Sequence, residues 1–165
     1  MPKLCWLVFV ALILVFSEAA QADCLDDLCK SVQRIYLART SNFSGLVGKS
    51  LGRDAGGNRW WQGKERPLGL DCRVNAGDKA GNGYSYSCGF VEPLSQSEAA
   101  ANENYEALIA AFKTVVPEFV WFDVDSFQGP QLEGGIAKNQ LYVWIAMVRG
   151  GEDSFVGFNV DARPH

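Results

Sequence analysis

Two aspartates, Asp123 and Asp125, stand two residues apart in the alternating run Phe119–Asp125. On a strand this spacing puts both carboxylates on one face, about 7 Å apart, with Val120, Phe122 and Val124 on the other. A pair of that kind holds a divalent cation or works as acid and base on a glycosidic bond. No third ligand is signalled, and a solvated strand face satisfies the same pattern. A second constellation is Trp60-Trp61, flanked by Arg59, Lys64 and Arg66. Adjacent strand residues point to opposite faces, so the two indoles cannot both enter a one-sided core. One of them is expected at the surface or under a loop or partner, where indole stacks on sugar rings or anchors a protein. Loop packing accounts for the pattern as well.

Other chemistries lack parts. Gly45-Leu46-Val47-Gly48-Lys49-Ser50 has two residues between its glycines, where a phosphate loop needs four. The single histidine is the terminal His165, which removes the usual general base from a triad. No G-x-S-x-G elbow is present.

The cysteines point to cross-links. Cys72 lies in the alternation Leu70, Cys72, Val74, and Cys88 in Tyr84, Tyr86, Cys88, Phe90, with a glycine-rich turn between. Folding that hairpin about Ala80 sets Cys72 opposite Cys88 and Val74 opposite Tyr86. Opposed Cα atoms then fall within disulfide range. Cys24 and Cys29 are left as the second pair. Five residues along a regular helix would hold them too far apart, so at least one must precede the helix. A zinc site is the rival reading, but no C-x-x-C spacing and no histidine partner supports it.

These residues need elements to position them. Leu25, Leu28, Val32, Ile35 and Tyr36 recur at helical spacing, behind Asp26 and Asp27, and predict a helix ending near Thr40. A second helix is announced by the capping box Ser95-Gln96-Ser97-Glu98, carries Tyr105, Leu108, Ile109, Phe112 and Val116, and stops at Pro117. Strands are expected at 59–62, at the two arms of the cysteine hairpin, and at 119–125, 141–148 and 154–160. The run 141–148 is apolar on both faces, which places Trp144 in the core. The glycine-rich stretch from Gly45 to Gly57 reads as too loose for long regular structure. The expected class is α+β: an antiparallel sheet of about five or six strands with two amphipathic helices, in the order helix, three strands, helix, three strands.

The N-terminus explains the cysteine usage. Lys3, the apolar run Leu4–Phe16, and Ala20 and Ala22 at the −3 and −1 positions form a signal peptide over 1–22, cleaved before Asp23. Thirteen apolar residues span about 20 Å, short of a bilayer's hydrocarbon core. The remaining 143 residues (23–165) are expected to form one disulfide-bearing domain outside the cytoplasm, secreted or periplasmic. Net charge is −4, against general nucleic-acid or anionic-membrane binding, but it is unevenly placed. Residues 30–79 carry a net of +6 and residues 80–165 a net of −7. The expectation is an exported, non-catalytic binding protein of the inhibitor or adaptor kind, with a protein or polymer partner met at Arg59, Trp60, Trp61, Lys64 and Arg66. It needs no cofactor, metal or nucleic acid and has no membrane attachment once cleaved, and the sequence leaves its oligomeric state open. The alternative is a carboxylate-based hydrolase using Asp123, Asp125 or neighbours in the acidic C-terminal half.

Overall fold

A computed structural model describes residues 24–76, 83–126, 128–138, 140–150 and 153–163. Residues 1–23 (the expected signal peptide among them), most of the cysteine-hairpin turn and His165 lie outside the described residues.

Helix α1, Asp27–Ala38, starts where Asp26 turns its side chain onto the chain end: its carboxylate accepts from Cys29 N at 2.7 Å. Cys24 lies before that cap, so the bend brings its Cα to 5.2 Å from that of Cys29 and the two are disulfide-bonded. Leu25 also falls outside the helix and is 87% exposed, so the apolar stripe begins at Leu28 instead. Four strands follow: β1 Val47–Arg53, β2 Arg59–Gly63, β3 Cys72–Ala76 and β4 Tyr84–Cys88. Helix α2 is Glu98–Val115, capped by Ser97, whose hydroxyl accepts from Ala100 N at 3.2 Å. The expected Ser95 box does not form, because Ser95 donates instead to Asp153 across the chain. Four more strands complete the fold: β5 Val120–Ser126, β6 Gly129–Ala137, β7 Gln140–Gly150 and β8 Asp153–Asp161.

The eight strands make one open antiparallel sheet in the order β1-β2-β3-β4-β8-β7-β6-β5. Each half is a helix followed by a four-strand meander, and the halves join where β4 pairs with β8, Tyr86 opposite Val160. The class expectation of an antiparallel α+β sheet therefore stands, with eight strands in place of five or six. The two additional strands are the glycine-rich ones. β1 bonds only to β2, its register shifts twice between Val47 and Gly52, and Gly52 has φ +94°, a bulged edge that shows no clean alternation. In β6, Gly134 lies beneath the Trp121 ring, and a Cβ there would come within 2.4 Å of it. The glycines that spoil the strand signal are what let neighbours approach.

Alternate residues of the sheet join both helices in one core. Ile35 and Val32 of α1 and Leu108 and Phe112 of α2 cluster with Val74, Tyr86, Val143, Ile145, Phe158 and Val160. Cys72 sits opposite Cys88 with Cα atoms 4.1 Å apart, disulfide-bonded, and Val74 sits opposite Tyr86. The cysteine register expected from the sequence is the one found. Trp144 does not lie in this core. It shares a row with Gln62, Arg73, Ser87 and Asn159 on the opposite sheet face, where its ring stacks on Phe90 at 4.5 Å. Strand β7 is indeed apolar on both faces, but the helices cover only one of them.

Candidate functional site

One recess that includes a residue singled out in the sequence, Trp61, forms where α1 hands over to β1. After α1 the chain makes a short 3₁₀ turn, Arg39–Ser41, and then two successive non-glycine residues adopt left-handed backbone, Asn42 (φ 52°) and Phe43 (φ 58°). Such conformations cost energy for residues with a Cβ. The cost is offset because the reversal buries Phe43 fully, its ring 5.6 Å from that of Tyr86. Backbone bonds from Phe43 N to Ala38 O and from Leu46 N to Phe43 O, both 2.8 Å, fix the turn. With Phe43 drawn inward, Ser41, Asn42 and Ser44 are left exposed on the rim.

The sheet supplies the other wall. Trp61 on β2 points to the helix side, opposite Val74. Tyr84 on β4 points the same way, opposite Ala76. Their planes are nearly parallel, 22° apart, with centroids separated by 6.5 Å. With Val47 they enclose, under the Ser41–Ser44 rim, an open recess of about 440 Å³. That lies within the roughly 300–1,000 Å³ range of small-molecule sites. Arg59, two residues before Trp61 on the same strand face, is exposed. On the other flank, Lys64 reaches to within 3.4 Å of the Gly45 carbonyl, beside Ser44. Neither cation is ion-paired among the described residues.

The five residues nominated as a basic, tryptophan-bearing patch are therefore divided. Trp61 lines the recess, with Arg59 two residues away on its strand face and Lys64 beside Ser44. Trp60 points to the helix-free face, where its Nε1 donates to Asp54 at 3.0 Å. Hydrogen bonds from Asn58 and then Trp60 hold the Asp54 carboxyl below the usual carboxylate range. Arg66 leans toward Asp71, 3.8 Å away, in a cluster that also ties Arg73 to Asp71 and Glu92. Sequence reasoning did not assign Tyr84, Ser41, Asn42 or Ser44 to a binding site. The one available signal was Asn42-Phe43-Ser44, which fits a glycosylation sequon and so suggests an exposed loop.

The acidic candidates lie at the other end of the sheet. Asp123, on edge strand β5 opposite Leu132, is exposed and borders a groove of about 330 Å³ shared with Tyr105, Glu106 and Lys113. Burial, followed by the charges of Glu106 and Asp123, pushes the Tyr105 hydroxyl up to about 12. Asp125 stands two residues along β5, opposite Pro130. Among the described residues no group of three or more His, Cys, Asp or Glu is placed to hold a metal ion.

Comparison of the chain with protein-family models, curated proteins and solved structures finds no match in any of the three. The two disulfides are consistent with an oxidising compartment.

Proposed function

We propose that this is a non-catalytic binding protein of the inhibitor or adaptor kind, secreted or periplasmic, that contacts a protein or polymer through the Trp61–Tyr84 recess. The observation that carries the reading is a recess walled by two near-parallel aromatic rings, Trp61 and Tyr84, near two cations. Arg59, on the same strand face, and Lys64, beside Ser44, have no ion partner among the described residues. Aromatic rings supply contact area at small entropic cost, and unpaired cations are free to meet an anionic partner. Trp60, on the other sheet face, takes part only with a partner that wraps the sheet edge. The test is capture from periplasm or culture medium by the mature, disulfide-bonded chain. Trp61→Ala and the double change Arg59→Gln with Lys64→Gln should each reduce capture severalfold. Capture that both variants leave unchanged would end the proposal.

A second reading, carboxylate-based hydrolysis, draws on Glu106 and Asp123 lining one groove. It requires Asp123→Asn to abolish turnover of a glycoside at unchanged thermal stability.

A further inference from the structure

Resting on the binding reading above, we infer that the recess between Trp61, Tyr84 and the Ser41–Ser44 turn is a subsite for one pyranose ring of an anionic glycan. The lining has two chemistries on opposite sides. One side is aromatic, Trp61 and Tyr84, with Val47 beside them. The other is a rim of small neutral donors and acceptors. Ser41 already donates its hydroxyl to Ala38 O at 3.0 Å, but the Asn42 side-chain amide and the Ser44 hydroxyl bond to no other group among the described residues. Being exposed, both are hydrated until a ligand replaces the water.

A ligand that suits this lining presents a flat apolar face to the rings and hydroxyl groups at its edge. A pyranose does so, with axial C–H groups on one face and equatorial hydroxyls around the perimeter. An aliphatic or aromatic peptide side chain would leave the Asn42 and Ser44 groups without partners, a cost that a sugar avoids. The sign of the ligand follows from the flanks. Arg59 lies two residues from Trp61 on the same strand face, and the Lys64 Nζ lies 3.4 Å from Gly45 O beside Ser44. Neither has an ion partner among the described residues, and both belong to a segment (30–79) that carries a net charge of +6. A carboxylate or sulfate on the ring, or on its neighbours along a chain, meets them. The left-handed turn at Asn42 and Phe43 keeps the rim in place before any ligand arrives, because Phe43 is locked in the core.

Calorimetric titration of the mature, disulfide-bonded protein with three probes tests the inference: tetragalacturonate, a neutral tetrasaccharide of galactose, and hexaglutamate. The acidic sugar should bind best, and the neutral sugar roughly tenfold more weakly. Trp61→Ala should weaken the acidic sugar by roughly tenfold or more, and Trp61→Phe should restore most of that loss. Trp61 packs partly against the core, so a folding control is needed. The exposed pair Arg59→Gln with Lys64→Gln supplies it: the fold should be retained, with loss of the preference for the acidic sugar and of its salt dependence. Trp61-dependent binding of hexaglutamate with neither sugar bound overturns the glycan inference and leaves the binding reading intact. Sugar binding that is indifferent to Trp61 and to the cation pair places the ligand elsewhere and overturns the inference. Failure of all three probes also overturns it. Loss of protein capture in Trp61→Ala would then uphold the broader reading, and unchanged capture would end both.

Discussion

The two halves of the molecule share one topology and are held together by different means. In the N-terminal half the strands are short, 5 to 7 residues, and both disulfides are found there. In the C-terminal half they run 7 to 11 residues with no cysteine, and β7 is apolar on both faces. A helix with four strands can thus be secured by covalent closure where apolar surface is scarce, or by long aliphatic strands where it is plentiful. The division also frees the N-terminal half. With Cys72–Cys88 fixing β3 on β4, its outer strands can spend their side chains on a rim of cations, hydroxyls and rings.

Removing the Cys72–Cys88 bond should strike hardest at this contrast. Replacing both cysteines by alanine should cost about 3 kcal/mol, the value for closing a loop of about 16 residues, read from urea unfolding. Hydrogen exchange should show β2 and β3 losing protection well before β6 and β7. Equal loss in both halves would mean that the sheet is one cooperative unit and that the contrast concerns composition only.

A smaller effect, about 1–3 kcal/mol each, is expected from added methyl groups at the two tightest glycine contacts with a ring. A Cβ at Gly63 would fall 2.4 Å from the Tyr86 hydroxyl, which is pinned by accepting from Glu65 N at 2.9 Å and donating to Glu65 O at 2.8 Å. A Cβ at Gly134 would meet the Trp121 ring at 2.4 Å, but that ring lies on an edge strand. Gly63→Ala should therefore lower the melting temperature more than Gly134→Ala. The reverse order would show the N-terminal half to be the more compliant one.

The smallest effect is set by pH. Hydrogen bonds from Arg34, reinforced by one from Ser31, hold the Glu65 carboxyl below the usual carboxylate range. The folded state thus binds the Glu65 proton less readily than the unfolded chain. The associated stability is present above the ordinary value of about 4.3 and is lost as pH falls through the lower folded value. Because Arg34 is half exposed, the amount should stay below about 1 kcal/mol. Glu65→Gln should flatten the stability profile between about pH 5 and pH 3. An unchanged profile would remove Glu65 from the account of α1 docking.

Much of this molecule is written in local patterns. The period-2 alternation around Cys72 and Cys88, with turn residues between, is enough to define their register, since a slip of one residue would point the sulfurs to opposite faces. Helices α1 and α2 follow from spacing, although α2 takes Ser97 rather than Ser95 as its cap once Ser95 has Asp153 to bond. Strands β1 and β6 were hidden because their glycines answer to neighbours distant in sequence, Gly134 to Trp121 among them.

The proposed binding residues divide in the same way. The sequence by itself determined that Trp60 and Trp61 must part company, because successive strand residues face opposite ways. Only the tertiary structure decided that Trp61 would meet Tyr84 and the Ser41–Ser44 turn. Those groups come from β2, β4 and a loop separated by tens of residues, and no local periodicity records which distant segment closes over a given side chain. The fate of Trp144 has the same cause. Its strand announces two apolar faces, but which face the helices cover is settled by packing across the whole sheet.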